Sequence, residues 1–214
     1  MVSFLTWCRY FFLRLDYALT GIYRDVATSQ IVKPHILGTF GSYLFRSRLT
    51  DFHFDKKEDI GGMLGGTLLV RKLPRVDNRR IRVGDVIVMR MSSDSVSRVA
   101  ALGERLMICT DGSEDPFYLE KHHFWVITDN KKPEETLDSR TLGRLIINDK
   151  TIGRAIYWFR SSTDHGPVEN SAESMKEDAA LLEVELDLDE LERYQKSITQ
   201  PRPVRGYGRE TEDD

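Results

Sequence analysis

Between residues 67 and 160 no apolar run outlasts a short strand before a turn signal stops it. Thr67-Leu68-Leu69-Val70-Arg71-Lys72-Leu73 ends at Pro74, and Val86-Ile87-Val88-Met89 is entered through Gly84-Asp85. Residues 96–102 run to Gly103, and residues 106–109 and 117–119 flank Asp111-Gly112, a strong hairpin signal. Phe124-Trp125-Val126-Ile127 is a short aromatic strand, Leu145-Ile146-Ile147 a short apolar run, and residues 151–160 the last strand of the series. Short strands with turns every eight to twelve residues or so predict a coiled antiparallel β domain. The spacing predicts turns at 76–80 and 92–95 and a charged loop at 129–136.

Outside this block the pattern changes. Ser3 is placed to cap a helix whose apolar stripe is Phe4, Cys8, Phe11, Leu15, Leu19 and Ile22. Arg9, Arg14 and Asp16 interrupt it, and crossing a bilayer takes about 18 or more uncharged apolar residues. Three fates remain open for it. It packs on the domain, which is preferred; it lies in a membrane interface with Trp7, Tyr10 and Tyr17 at headgroup level; or it is a basic targeting peptide. Pro34 opens a second short helix over 34–46, and 51–58 is read as a polar connector. Residues 161–167 are read as a loop. Leu182, Val184, Leu186 and Leu188 alternate like a strand, while Leu181, Val184, Leu188 and Leu191 fit a helix. An extended arm through Leu188 is expected, then a helix over 189–197 capped by Asp189. Residues 200–214 are Pro-, Gly- and charge-rich and are expected to be disordered. The division is therefore 1–50, an amphipathic helical segment; 51–168, the β domain; 169–199, an acidic arm; and 200–214, a tail. The fold class is mainly β (α+β), with N-terminal helices and an acidic C-terminal strand or helix.

Charge bears on partners. The net charge of −3 gives no support for nucleic-acid binding. The two cysteines, Cys8 and Cys109, form neither a disulfide framework nor a metal-binding pair, so no metal or cofactor is expected. Residues 1–50 hold six arginines and lysines against Asp16 and Asp25, whereas 177–192 are strongly acidic. Such asymmetry marks either solvated faces or ends that contact something.

Four boxes in order resemble the type I signal peptidase family, particularly its mitochondrial inner membrane peptidase branch. They are Gly84-Asp85 with its strand, Ser97-Arg98-Val99-Ala100-Ala101-Leu102-Gly103-Glu104, Thr128-Asp129-Asn130, and Asp138-Ser139-Arg140. Thr163-Asp164-His165-Gly166-Pro167-Val168 and the Val-Glu-Leu-Asp-Leu-Asp ending are similar to a plant group of signal peptidase-like mitochondrial proteins. The resemblance implies a coiled β domain, a serine nucleophile activated by a lysine, and a location at the mitochondrial inner membrane. A lysine serves as base only when burial keeps its amine neutral.

Neither member of that dyad is at its place. Gly61-Gly62-Met63-Leu64 matches the nucleophile box with Met63 in register and Gly62 where the serine belongs. The four glycines of 61–66 are read as a flexible loop. The lysine position is Ser97, and the neighbouring Arg98 has too high a pKa to be a neutral base. The resemblance leaves Met63, Arg98, Asp129, Asn130, Asp138, Ser139 and Arg140 as a vestigial frame. Asp138 and Arg140 would form a supporting pair, and Ser139 would have lost its lysine partner. His122-His123, oriented by Asp129 or Asp138, is the one substitute base suggested by the sequence. The expectation is a non-catalytic signal peptidase-like protein, a binding or assembly subunit with protein partners and peripheral membrane contact through residues 3–22. The alternative is an active serine endopeptidase of the inner membrane peptidase type that processes presequences. A third reading is a repressor-type self-cleaving β module.

Overall fold

The computed structural model describes residues 2–27, 49–60, 63–73, 80–90, 94–108, 115–121, 123–129, 138–143, 145–146 and 151–199. The expected helix over 34–46, the loop at 129–136 beyond Asp129, His122, Asn130, Gly62 and the 200–214 tail lie outside them.

The architecture is α+β, a large antiparallel sheet with helices against it. Its strand order is β1-β2-β9-β3-β4-β7-β8, with β1 Leu49–Ile60, β2 Met63–Lys72, β3 Val86–Arg90, β4 Asp94–Leu102, β7 His123–Ile127, β8 Leu145–Ile146 and β9 Thr151–Ser161. Strands β5 Arg105–Met107 and β6 Phe117–Leu119 form a separate hairpin, and β10 Asp164–Pro167 pairs with β9. Strand β9 organises the sheet: β2 runs along one edge, while β3 and then β10 share the other. Strand β1 also packs against β4, so the sheet coils back on itself.

Strand β3 is buried on both faces, which is why it reads as an unbroken apolar run. Ile87 and Met89 join Leu73, Ile81, Val99, Phe124 and Val126 on one side. Val86 and Val88 join Leu68, Val70, Val96, Ala155 and Val168 on the other.

Three readings are corrected. The polar stretch 51–58 is part of β1, not a connector; as the outermost strand of the sheet order it tolerates the charges that a central strand would not. Met63–Gly66 belong to β2 rather than a loop, because Gly65 and Gly66 take φ of 69° and 145° that only glycine adopts cheaply. Residues 164–167 form β10, which returns along β9 after the two residues Ser162 and Thr163.

Helix α1, Phe4–Ala27, starts where expected, with the Thr6 N–H donating to Ser3 Oγ at 3.1 Å. A four-residue α2, Ser139–Leu142, follows the Asp-Ser-Arg box. The C-terminal part is helical from the start: α3, Ala172–Glu185, capped by Ser171, then α4, Leu188–Thr199. The extended arm is therefore absent, since helical spacing turns Ala180 and Leu181 onto Tyr10 of α1. Asp187, rather than Asp189, caps α4 by accepting the Glu190 N–H at 3.0 Å. Leu191 anchors α4 on Leu49, Leu69, Ile156, Tyr157 and Phe159. Full burial of one such leucine stabilises by about 1.5–3 kcal/mol.

Candidate functional site

The Gly84-Asp85 turn, the Ser97-Arg98 strand and the Asp-Ser-Arg box meet on the β3–β4–β7 side of the sheet. Gly84, with φ 94°, turns the chain so that its N–H donates to Val99 O at 2.8 Å, and the Val99 N–H donates back to Asp85 O at 2.9 Å. Arg98 closes the same region. Its Nε lies 3.0 Å from Asp129 Oδ1 and its Nη2 2.7 Å from Asp129 Oδ2. Its Nη1 donates to Gly84 O at 2.8 Å and to Glu169 O at 2.7 Å. The Asp129 carboxylate raises the Arg98 pKa further, so this guanidinium is a permanent cation and a clamp, never a base.

Asp138-Ser139-Arg140 is satisfied without any lysine. Asp138 caps α2 by accepting the Arg140 N–H at 2.9 Å and holds the Arg140 Nε at 2.9 Å. Asp138 Oδ2 and Ser139 Oγ take two further N–H groups of the β7 region, those of Thr128 at 3.1 Å and Val126 at 2.8 Å. Ser139 therefore has a backbone partner in place of a lysine. The reason is local: a helix cap set beside a strand edge places hydroxyl and carboxylate opposite unpaired donors. Burial would raise the Asp138 pKa, but the Arg140 side chain and the two N–H donors outweigh it and hold the value below the ordinary 3.8. A carboxylate depressed in the fold contributes stability that is present above the ordinary value and lost as pH falls through the lower, folded one. Acid titration of unfolding should therefore show Asp138→Asn less stable than the parent at neutral pH, with the difference shrinking below about pH 4.

Ser97 stands apart. It is 2 % exposed, and its hydroxyl has no hydrogen-bond partner among the described residues. Across the sheet it faces Ile87, then Arg154 in β9 and Arg71 in β2, so its nearest cations along that row are guanidinium groups. His123 does not supply a base. Ser97 lies one residue past the Arg98–Ile127 pair, at the Thr128 end of β7, while His123 begins that strand. At about 3.3 Å per residue the two ends are roughly 16 Å apart. The β1–β2 pairing runs to Ile60–Met63. Met63 thus has a place in the sheet, next to the position that Gly62 occupies in the sequence.

A second cluster was invisible in the sequence. Arg154, fully buried, places Nε 2.8 Å from Asp178 Oδ2 and Nη2 3.0 Å from Asp178 Oδ1. Its Nη1 donates to Arg80 O at 2.7 Å and Asp85 Oδ2 at 3.1 Å. Arg71 also pairs with Asp178, and Arg82 with Glu177. Asp85 accepts in addition from Ser171 Oγ and Ser174 Oγ, each at 2.8 Å, and from the Arg82 N–H at 2.9 Å. Burial would lower the Arg154 pKa, but Asp178, Asp85 and Glu177 together raise it. The one sequence signal was an arginine inside the apolar run of β9, at an inward register position. Chemically the region is a set of buried ion pairs beside a neutral hydroxyl, and among the described residues no lysine or histidine is shown hydrogen-bonded to Ser97.

The chain is 36 % identical over 206 residues to the mitochondrial ATP-independent inner membrane protease subunit 2 of Arabidopsis thaliana, an alignment covering 92 % of this chain and 100 % of that protein. No family model matches the chain.

Proposed function

The chain belongs to the type I signal peptidase family, in its mitochondrial inner membrane protease branch, and from that premise we propose that it is a non-catalytic member, a binding or assembly subunit at the inner membrane. The observation that carries this reading is Ser97: at the position matched to the general base stands a buried hydroxyl with no partner among the described residues, in a row whose described cations, Arg154 and Arg71, are guanidinium groups. Gly62, at the nucleophile position, offers no attacking atom. Losing nucleophile and base together removes nearly all turnover in a serine hydrolase. Meanwhile the Arg98–Asp129 clamp and the Asp138–Arg140 pair keep the frame in shape. A frame maintained without its dyad supports a role for the surface of the barrel, with other proteins of a mitochondrial complex as partners and the membrane contacted through residues 3–22.

Purified protein incubated with peptides spanning a presequence cleavage site should yield no product. Cleavage that disappears in Ser97→Ala would overturn the proposal. The same variant has a second, opposite readout. An unpartnered buried hydroxyl costs about 1–3 kcal/mol of desolvation, so Ser97→Ala should raise stability by roughly 1 kcal/mol in urea melts. A base held for catalysis would give lost activity instead.

A second reading is favoured by the name of the Arabidopsis relative, which describes a protease subunit. It makes this chain an active serine endopeptidase for presequence or signal peptide processing. That reading requires labelling by a serine-reactive acylating probe, and absence of label removes it.

A further inference from the structure

Among the described residues, helix α1 packs on the protein through one apolar face, with Asp16 and Thr20 reaching Arg80 beside it. Tyr10, Tyr17 and Ala18 are buried, and Tyr10 packs with Leu13 against Ala180, Leu181 and Val184 of α3. Arg14 pairs with Glu185 at 2.9 Å, and Tyr10 OH donates to the same carboxylate at 2.8 Å. Tyr10 and Tyr17 therefore cannot stand at headgroup level. Of the expected apolar stripe, Phe4, Phe11 and Leu19 are exposed and Cys8, Leu15 and Ile22 half-buried. Phe4, Leu5, Phe11, Phe12, Leu19 and Tyr23 are exposed, from 54 % for Phe11 to 85 % for Phe4. They recur at intervals of seven and four residues, two turns and one turn, so they share a face along a helix of 24 residues, about 36 Å at 1.5 Å per residue.

We propose that this outer face of α1 lies in the plane of an anionic membrane surface. No helix among the described residues is long and apolar enough to cross a membrane. A long helix with large aromatic residues on one face and charges on another is suited to lie at the headgroup boundary. The border of the stripe fixes the sign of the surface. Arg9 is exposed at helical spacing from Leu5 and Phe12. Asp16, the acid beside Phe12 and Leu19, is tied to Arg80 Nη1 at 2.8 Å, so it is neutralised by the protein itself. Cation is thus left beside the apolar stripe and anion is cancelled, which matches acidic lipid headgroups. Because α1 is fastened to α3, and α3 to the sheet through Asp178 and Ser174, the barrel would be held in a fixed attitude over the bilayer. The proposal rests on the inner-membrane assignment above, but not on whether the barrel cleaves anything.

Flotation of the full chain with phosphatidylcholine vesicles, with and without phosphatidylglycerol, tests it. Binding is expected to the anionic vesicles and to fall at least tenfold on neutral ones. Phe11→Asp with Phe12→Asp should reduce binding at least tenfold while leaving the thermal midpoint unchanged, since both side chains are exposed. Arg9→Glu should reduce it several-fold on anionic vesicles alone. Brominated lipid should quench Trp7, which is 51 % exposed, and the quenching should vanish in Trp7→Phe. Leu106→Asp, at another exposed apolar position, should change nothing. Failure to bind either vesicle, binding indifferent to the double substitution, or equal loss with Leu106→Asp would overturn the proposal. So would a double variant that converts a dimer to a monomer without touching vesicle binding, which would assign the stripe to a second copy. Peptide cleavage with intact flotation would refute the non-catalytic reading and leave this one standing.

Discussion

Asp178→Ala should lower the stability of the protein by about 3–5 kcal/mol, the range found when one partner of a buried ion pair is removed. Two guanidinium groups lose their principal acceptor at once: Arg154, fully buried, and Arg71, with a side chain 4 % exposed. Asp85 already accepts from Ser171, Ser174 and Arg82, and Glu177, 3.6 Å from Arg154 and 3.7 Å from Arg71, is pulled away by Arg82, so neither compensates. The thermal midpoint should fall by about 10 °C for a chain of this size. The position also predicts where the damage goes. Asp178 fastens α3 to the sheet, and α3 carries α1 through Tyr10, Leu181 and Glu185. Limited proteolysis should therefore release α1 and α3 before the β domain is cut. Replacing the group by apolar residues of similar volume, with Asp178→Leu, Arg154→Met and Arg71→Met together, should restore much of the loss. If the single alanine variant melts like the parent, the cluster does not hold the helices in place.

Gly153→Ala should be nearly as damaging, for a steric reason. A Cβ at this position would stand 2.1 Å from the Arg71 carbonyl oxygen and 2.9 Å from its carbon. Those are backbone atoms of the paired strand β2 and cannot rotate aside, so β9 and β2 must separate where Lys72 faces Gly153. The loss should be about 3 kcal/mol, the upper end for overpacking, and Arg154 would be carried away from Asp178 by the same shift. Gly166→Ala is the internal comparison. Its Cβ would meet only the Trp158 side chain, at 3.4 Å. Urea melts should place that variant within about 1 kcal/mol of the parent. Equal losses in the two would rule out strand spacing as the cause.

Much of the sheet was legible because its signals are local. Gly84-Asp85 and Gly103 end or begin strands by backbone geometry that neighbouring residues alone impose. Strands β3, β7 and β9 therefore lie where the turn chemistry puts them, whereas β4 begins at Asp94, inside the turn expected over 92–95, because Asp94 and Ser95 pair with Arg90 and Met89 of β3. Two strands were missed for the same reason. Residues 51–58 are too polar to look like a strand until β2 is beside them, and 164–167 hold Gly-Pro, which reads as a turn until β9 offers a partner edge. At 181–188 two periodicities coexisted, and burial of Leu181 against α1 chose the helix.

Position 97 encodes a serine and position 62 a glycine, and no fold can supply an amine or a nucleophilic side chain that those positions do not encode. Sequence alone decided that much, together with the β character of the middle of the chain. Tertiary structure decided which charges belong together. The basic beginning and acidic end, ambiguous as a pattern, meet where Arg14 pairs with Glu185 across 171 residues, and the acidic end also takes Arg71 of the sheet, which meets Asp178 across 107. It likewise decided that the aromatic stripe of α1 faces outward, because α3 offers its complementary surface to Tyr10 and Leu13 instead. Helical spacing shows that a face exists, but which face is covered depends on elements that are distant in the chain and meet only once the sheet has formed.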